Sequence, residues 1–191
     1  MTKSPALFLD RDGVININKG YVHKVEDCEF IDGIFGLVKR ANQLGYKVII
    51  VTNQAGIARG YYSEATFLSF SEWMRKEFKQ HQAIIDDIYF CPHHPEHGIG
   101  EYHTNCNCRK PAPGMLITAQ KKHHIDMEKS VLVGDSLSDI EAAQAANVKH
   151  CFLLNSNSSN GEVSNETQTA NHLNFFTVSS LDEINLAQLN A

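Results

Sequence analysis

The feature that most constrains this chain is a repeated break in which short apolar runs stop abruptly at polar residues, with segments of helical period between them. The runs are Ala6–Leu9, Tyr46–Val51, Ile88–Phe90, Val131–Val133 and His150–Leu154. Each is too short for a buried helix and without the polar alternation of a half-exposed strand. They read as strands buried on both faces, the signature of a parallel sheet. Between them, Ile34, Leu37, Val38, Ala41 and Leu44 recur at helical spacing from Gly33 on, and Gly45 suits the helix end. Ser63 reads as the N-cap of a second helix, with Glu64 in its first turn. Its Phe67, Phe70, Met74 and Phe78, with Trp73 nearby, read as core. Further helices are expected from Pro113 to about His123 and from Ile140 to Ala146. Phe175 to Val178 reads as a last edge strand, and Leu181, Ile184 and Leu189 as a closing helix. Residues 155–174 read as a long polar loop. This alternation predicts an α/β, doubly wound, mostly parallel sheet. At 191 residues the whole chain, 1–191, is expected to form a single domain.

In such sheets ligands bind beyond the carboxyl ends of the strands, so the residues at each break carry the functional information. The first break is Asp10-Arg11-Asp12-Gly13. Strand alternation would send Asp10 and Asp12 to one side and Arg11 to the other. Neighbouring carboxylates repel unless a cation or proton offsets them, which favours function over a plain polar exit from the strand. The second break, Thr52-Asn53-Gln54-Ala55-Gly56, offers a hydroxyl and loop amides suited to phosphate oxygens; a Thr that caps a turn is the plainer reading. Arg59 lies close enough to reach back over this strand end. The stretch from Val14 to Phe30, with Asn16, Asn18, Gly20 and Tyr21, reads as a flap over the carboxylates or as a simple connector. The fourth break is Gly134-Asp135, with Asp139 shortly after.

An insertion with the least regular periodicity, 91–108, comes after the third run. It holds Cys91, His93, Cys106 and Cys108, a Cys-x-His and Cys-x-Cys set that matches the four ligands of a closed, structural zinc site. A cysteine-bearing loop without metal is the plainer alternative, and His94, His97 and His103 are competing ligands. Arg109 and Lys110 come directly after it. A clamped loop would hold them rigidly, Lys110 towards the carboxylates and Arg109 towards an anionic substrate group. Pro111 and Pro113 stiffen the chain on the far side of Lys110.

Composition narrows the partners. The formal charge of −5 argues against nucleic acid and leaves room for a small phosphorylated substrate held by local cations. No apolar run is long enough to span a membrane, and Met1-Thr2-Lys3-Ser4-Pro5 is too short and polar for a signal peptide. A cytoplasmic location is expected. An odd count of 5 cysteines without an export signal does not point to a disulfide framework. Nothing in the sequence calls for more than a monomer.

Together, Asp10-Arg11-Asp12-Gly13, Thr52-Asn53, Lys110 and Gly134-Asp135 with Asp139 resemble the haloacid dehalogenase superfamily of aspartate-nucleophile phosphatases. Longer stretches resemble the D-glycero-D-manno-heptose 1,7-bisphosphate 7-phosphatase family. These are residues 10–16, Gly20-Tyr21-Val22, 52–60, Cys91-Pro92-His93-His94-Pro95 and Cys108-Arg109-Lys110-Pro111, and the match runs from about Leu7 to Val148. The resemblance implies Asp10 as nucleophile and Asp12 as the acid, then the base. It implies Mg²⁺ on Asp10, the Asp12 main-chain carbonyl and Asp135. Thr52 and Lys110 would bind the transferred phosphoryl group. Asn18, Lys19, Gly20, Tyr21, Asn53, Gln54, Arg59 and Arg109 would contact substrate. Ser136 stands where close relatives often carry Lys, and Val14 replaces a frequent Thr. With no room for a large cap, the site is expected to be open. The implied reaction removes the 7-phosphate of a heptose bisphosphate, the β anomer foremost, on the route to nucleotide-activated heptose and lipopolysaccharide core. Histidinol-phosphate phosphatase is the enzymatic alternative, and a non-catalytic phosphosugar-binding module the alternative of another class.

Overall fold

The computed structural model describes residues 2–155, 168–170 and 173–189. Its sheet contains β1 (Ala6–Leu9), β2 (Lys47–Asn53), β3 (Asp87–Cys91), β4 (Val131–Gly134), β5 (His150–Leu154), β6 (Gln168–Ala170) and β7 (Leu173–Val178). The strand order is β3-β2-β1-β4-β5-β7-β6. Every pairing is parallel except that of β6 with β7. The α/β, mostly parallel expectation therefore holds.

The period-2 rule explains both layers of core. Leu7 and Leu9 of β1, Val48 and Ile50 of β2, and Val131 and Val133 of β4 enter one apolar cluster. It is covered by α1 (Ile34–Gln43) and α3 (Glu64–Gln80). The alternate residues Ala6, Phe8, Ile49, Val51 and Leu132 enter a second cluster on the opposite face. That face is covered by α4 (Gly114–His123) and α5 (Leu137–Ala145). Burial on both faces is why these strands read as unbroken apolar runs. Ser63 caps α3 as expected, its Oγ accepting from Thr66 N at 3.1 Å.

Several details differ from the sequence reading. A short helix, α2 (Ala55–Ala58), comes directly after β2. Leu44 lies beyond α1 and is exposed, because the helix ends at Gln43. The strand at 175–178 begins at Leu173 and is not the edge, since β6 lies outside it. That strand falls within the stretch read as a polar loop; residues 156–167, 171 and 172 of the stretch lie outside the described residues. The closing helix is instead a single 3-10 turn, Leu181–Glu183, that buries Leu181 and Ile184. A spacing of three suits such a turn as well as an α-helix.

Topology places the site. Central β1 lies between β2 and β4, so the polar exits of three strands converge. Residues 10–33 return from β1 to α1 through bridges Asp12–Asn16 and Asn16–Phe30. Among the described residues no large cap covers this end of the sheet.

Candidate active site

The strand exits enclose a cleft of about 410 Å³, lined by Asp10, Asp12, Asn18, Gly20, Tyr21, Thr52, Asn53, Gln54, Ala55, Tyr62, Lys110, Asp135, Ser136, Ser138 and Asp139. Lys110 is buried at its centre. Its Nζ lies 2.8 Å from Asp10 Oδ1 and 2.5 Å from Asp139 Oδ1, and donates to Val51 O at 2.9 Å. The ammonium thus has three oxygens around it, one by hydrogen bond and two by ionic contact. Burial works against the ammonium, yet Asp10 and Asp139 outweigh it and raise its pKa. Burial also pushes the Asp10 carboxyl up to about 7 against the opposing pull of Lys110. Asp135 is raised to about 6, first by burial and then by Asp139.

Two raised carboxyls beside a third describe a site short of positive charge. Ligand oxygens of Asp10, Asp135 and Asp139 lie within 4.8 Å of one another. Asp10 Oδ1 and Asp139 Oδ1 are buried and have ionic contact with Lys110 but no well-formed hydrogen bond. All-oxygen donors of this kind suit Mg²⁺. The backbone is shaped around them. Gly13 has φ +93°, and a Cβ there would stand 2.0 Å from Asp135 Oδ2. At Gly134 a Cβ would stand 2.3 Å from the Cβ of Asp139. Only glycine admits both approaches.

The Asp12 carboxylate is not part of that cluster. It accepts from Arg11, from Asn16 Nδ2 at 3.0 Å and from Gln54 Nε2 at 3.3 Å. The expectation that Arg11 points away from the pair is corrected. Regular strand geometry ends at Leu9, and the turn brings the guanidinium back onto Asp12. Gln54 also donates to Thr52 Oγ1 at 2.8 Å, and its own Oε1 accepts from Tyr62 at 2.6 Å. With that lone pair engaged, the Thr52 hydroxyl proton is available to an anion in the cleft.

Asn18, Gly20, Tyr21, Thr52, Asn53, Gln54 and Lys110 all line the cleft as read from sequence. Lys19, Arg59 and Arg109 do not. Lys19 pairs with Glu29 at 3.0 Å, Arg59 closes α2, and Arg109 donates to His93 O at 3.2 Å. Asp139 carries a larger part than the sequence reading gave it. Beyond its tie to Lys110, its Oδ2 accepts from Ser136 N at 3.1 Å and Ser136 Oγ at 2.7 Å. Its position three residues past Ser136, at a helix start, was the available signal.

The second metal-competent group is Cys91, His93, Cys106 and Cys108. Their sulfurs lie 3.0 to 3.4 Å apart, and His93 Nδ1 lies 3.4 Å from Cys108 Sγ and 3.8 Å from Cys91 Sγ. The cysteines are free thiols. Four such donors converging on one point fit tetrahedral zinc. Burial raises Cys91 and Cys108, whereas hydrogen bonds from Cys108 and Cys91 outweigh burial at Cys106 and bring it down to about 7.

A doubly wound sheet, acidic residues at the ends of β1 and β4, a buried lysine and, among the described residues, no large cap define a Mg²⁺-dependent phosphomonoester hydrolase of the haloacid dehalogenase superfamily. A HAD-hydrolase-like family model matches residues 107–184. Among characterised proteins, the D-glycero-beta-D-manno-heptose-1,7-bisphosphate 7-phosphatase of Vibrio cholerae is 51% identical over 144 residues, covering 75% of this chain and 77% of that protein. The D-glycero-alpha-D-manno-heptose-1,7-bisphosphate 7-phosphatase of Burkholderia mallei is 53% identical over 152 residues, covering 80% of each. The crystal structure of D,D-heptose 1,7-bisphosphate phosphatase from B. bronchiseptica, complexed with magnesium and phosphate, superposes with a TM-score of 0.77 at 28% identity, over 97% of this chain and 98% of that one. The chain belongs to the D-glycero-D-manno-heptose-1,7-bisphosphate 7-phosphatase family.

Proposed function

We propose that the protein removes the 7-phosphate of D-glycero-β-D-manno-heptose 1,7-bisphosphate, in the supply of nucleotide-activated heptose for lipopolysaccharide core. The observation that carries this reading is the Asp10–Lys110–Asp135 arrangement beside Thr52 in the cleft at the strand exits. The names of the relatives supply the substrate class, and they include both anomers.

Asp10 is the nucleophile. Its carboxylate oxygen attacks phosphorus, the bond from phosphorus to the C7 oxygen breaks, and Asp12 gives that oxygen a proton. Water then attacks the aspartyl phosphate, Asp12 takes a proton from the water, and inorganic phosphate leaves. An enzyme-bound acyl phosphate divides a difficult hydrolysis into two steps. Lys110 and the Thr52 hydroxyl hold the equatorial phosphoryl oxygens, where charge accumulates in the transition state. Mg²⁺, when bound by Asp10, Asp135 and the Asp12 carbonyl, offsets the repulsion between carboxylate and phosphate. Asp139 keeps Lys110 charged and aimed. Asn18, Gly20 and Tyr21 form the flap side of the cleft. Zinc on Cys91, His93, Cys106 and Cys108 is structural, and 91–108 is an insertion within one domain spanning 1–191. The enzyme works as a cytoplasmic monomer. Within the described residues no helix is long and apolar enough to cross a membrane.

The test is phosphate release with Mg²⁺ from β- and α-heptose 1,7-bisphosphate beside histidinol phosphate. The reading predicts strong preference for a heptose bisphosphate, the β anomer first. Preference for histidinol phosphate overturns the substrate; no turnover of any compound, by folded protein, overturns catalysis.

A further inference from the structure

Arg11 is the largest of the side chains buried to within 2% of full enclosure. A buried cation is costly unless it is paired and hydrogen-bonded. Among the described residues the one carboxylate within ion-pair distance is that of Asp12. Arg11 Nε donates to Asp12 Oδ2 at 3.1 Å, and Nη2 reaches Oδ1 at 3.0 Å and Oδ2 at 2.7 Å. Nη2 also donates to Val22 O, in the flap, at 2.6 Å. The guanidinium carbon lies 5.6 Å and 5.3 Å from the ring centroids of Phe67 and Phe70 on α3, so the plane is fixed from that side too. Asn16, fully buried, holds Oδ1 at 3.0 Å.

This leaves Asp12 little freedom. Oδ1 is taken by two donors that lie outside the cleft lining. Oδ2 takes two bonds from Arg11, at 3.1 and 2.7 Å, and is also the oxygen that meets the one partner lining the cleft, Gln54, at 3.3 Å. Oδ2 is therefore the oxygen turned toward substrate.

We propose that Arg11, with Asn16 behind it, is a positioning residue for the acid step. It fixes Asp12 Oδ2 toward the leaving oxygen and ties that orientation to the flap through Val22. The proposal rests on the acid role of Asp12 in the proposed reaction. Protonation of the leaving group matters for a sugar hydroxyl and hardly at all for p-nitrophenolate, which departs as a stable anion. The ratio kcat/KM reports only steps up to loss of the leaving group.

The experiment compares kcat/KM for β-heptose 1,7-bisphosphate and p-nitrophenyl phosphate in the Mg²⁺-loaded wild type, Arg11→Lys, Asn16→Ser and Asp12→Asn. Lysine keeps the charge but cannot bond bidentately. Arg11→Lys is expected to lose roughly 10- to 100-fold on the sugar phosphate and under about threefold on the aryl phosphate, a part of the ~10²–10⁴ that a positioned acid supplies. Equal loss on both substrates overturns the proposal. Asn16→Ser is expected to show the same selectivity at smaller size, and it decides the matter if Arg11→Lys does not fold; equal loss there overturns the proposal as well. Asp12→Asn separates the two readings. If it too loses equally on both substrates, the acid role of Asp12 fails, and the positioning role falls with it. If it loses selectively while Arg11→Lys and Asn16→Ser do not, only the positioning role fails.

Discussion

Asn53 closes a two-point clamp on the main chain of Lys110. Its Nδ2 donates to Lys110 O at 3.1 Å, and Lys110 N donates to Asn53 Oδ1 at 3.0 Å. The end of β2 and the exit of the cysteine-rich loop are thereby joined at the residue whose ammonium sits between Asp10 and Asp139. A side chain read as a substrate contact has both of its polar atoms committed to holding a neighbour.

Asn53→Ala is therefore expected to act mainly on kcat. Two lost hydrogen bonds of about 1 kcal/mol each would let Lys110 drift, for roughly a tenfold loss or more. Asn53→Asp keeps the acceptor for Lys110 N and should fall between wild type and Ala. Steady-state kinetics check this. A rise in KM with kcat unchanged would return Asn53 to direct substrate binding.

Magnesium binding should depend on pH with a definite sign. Asp10 and Asp135 are raised to about 7 and about 6 from an ordinary 3.8, so the metal-free native protein holds protons that the unfolded chain releases. Its stability from these groups is lost as pH rises through that window. Mg²⁺ replaces those protons, so the gain in melting temperature on adding Mg²⁺ should grow from about pH 5 to about pH 8. Thermal melts at fixed Mg²⁺ excess measure it. A gain that is constant or shrinks with pH would contradict the charge balance described for this cleft.

Zinc removal should disturb the phosphatase site from a distance. Cys108 precedes Lys110 by two residues, and Gly114 N donates to Asn107 O at 2.8 Å, tying the loop to the start of α4. Stripping zinc with a strong chelator is expected to lower the melting temperature by at least about 5 °C, several kcal/mol being at stake in a four-ligand site. Activity should fall and return with zinc, not with added magnesium, because thiolates and carboxylates select different ions. Full activity and an unchanged melt in verified zinc-free protein would remove this role.

Much of this was legible in the sequence because it derives from local rules. The strands announced themselves by burial on both faces, Asp10, Thr52 and Asp135 by standing where those strands end, and Lys110 by following the cysteine-rich insertion. The cysteine spacing was equally direct. What the sequence hid depends on chain reversal. The alternation rule put Arg11 opposite Asp12, but it holds only for extended backbone, and β1 stops at Leu9. Gly13 at φ +93° and the Asp12–Asn16 bridge turn the chain so that Arg11, Asn16 and Val22 meet. Asp139 stood with the Gly134-Asp135 break but without a role of its own, and only tertiary contact shows it facing Lys110. The turn at Leu181 shares its spacing with a helix, so the pattern could not separate them. Lys19 and Arg109 illustrate the converse: cations near the right motifs in sequence, with partners of their own in space.

The central claim is that Asp10 carries the phosphoryl group from the 7-position. It is tested most directly by β-heptose 1,7-bisphosphate labelled at the 7-phosphate, mixed with the Mg²⁺-loaded protein and quenched in acid during turnover, with mapping of the labelled peptide. The account predicts label on the peptide holding Asp10, none in Asp10→Asn, and unlabelled 1-phosphate sugar as product. Release of labelled phosphate at full rate by Asp10→Asn, or label retained in the sugar product, would contradict it.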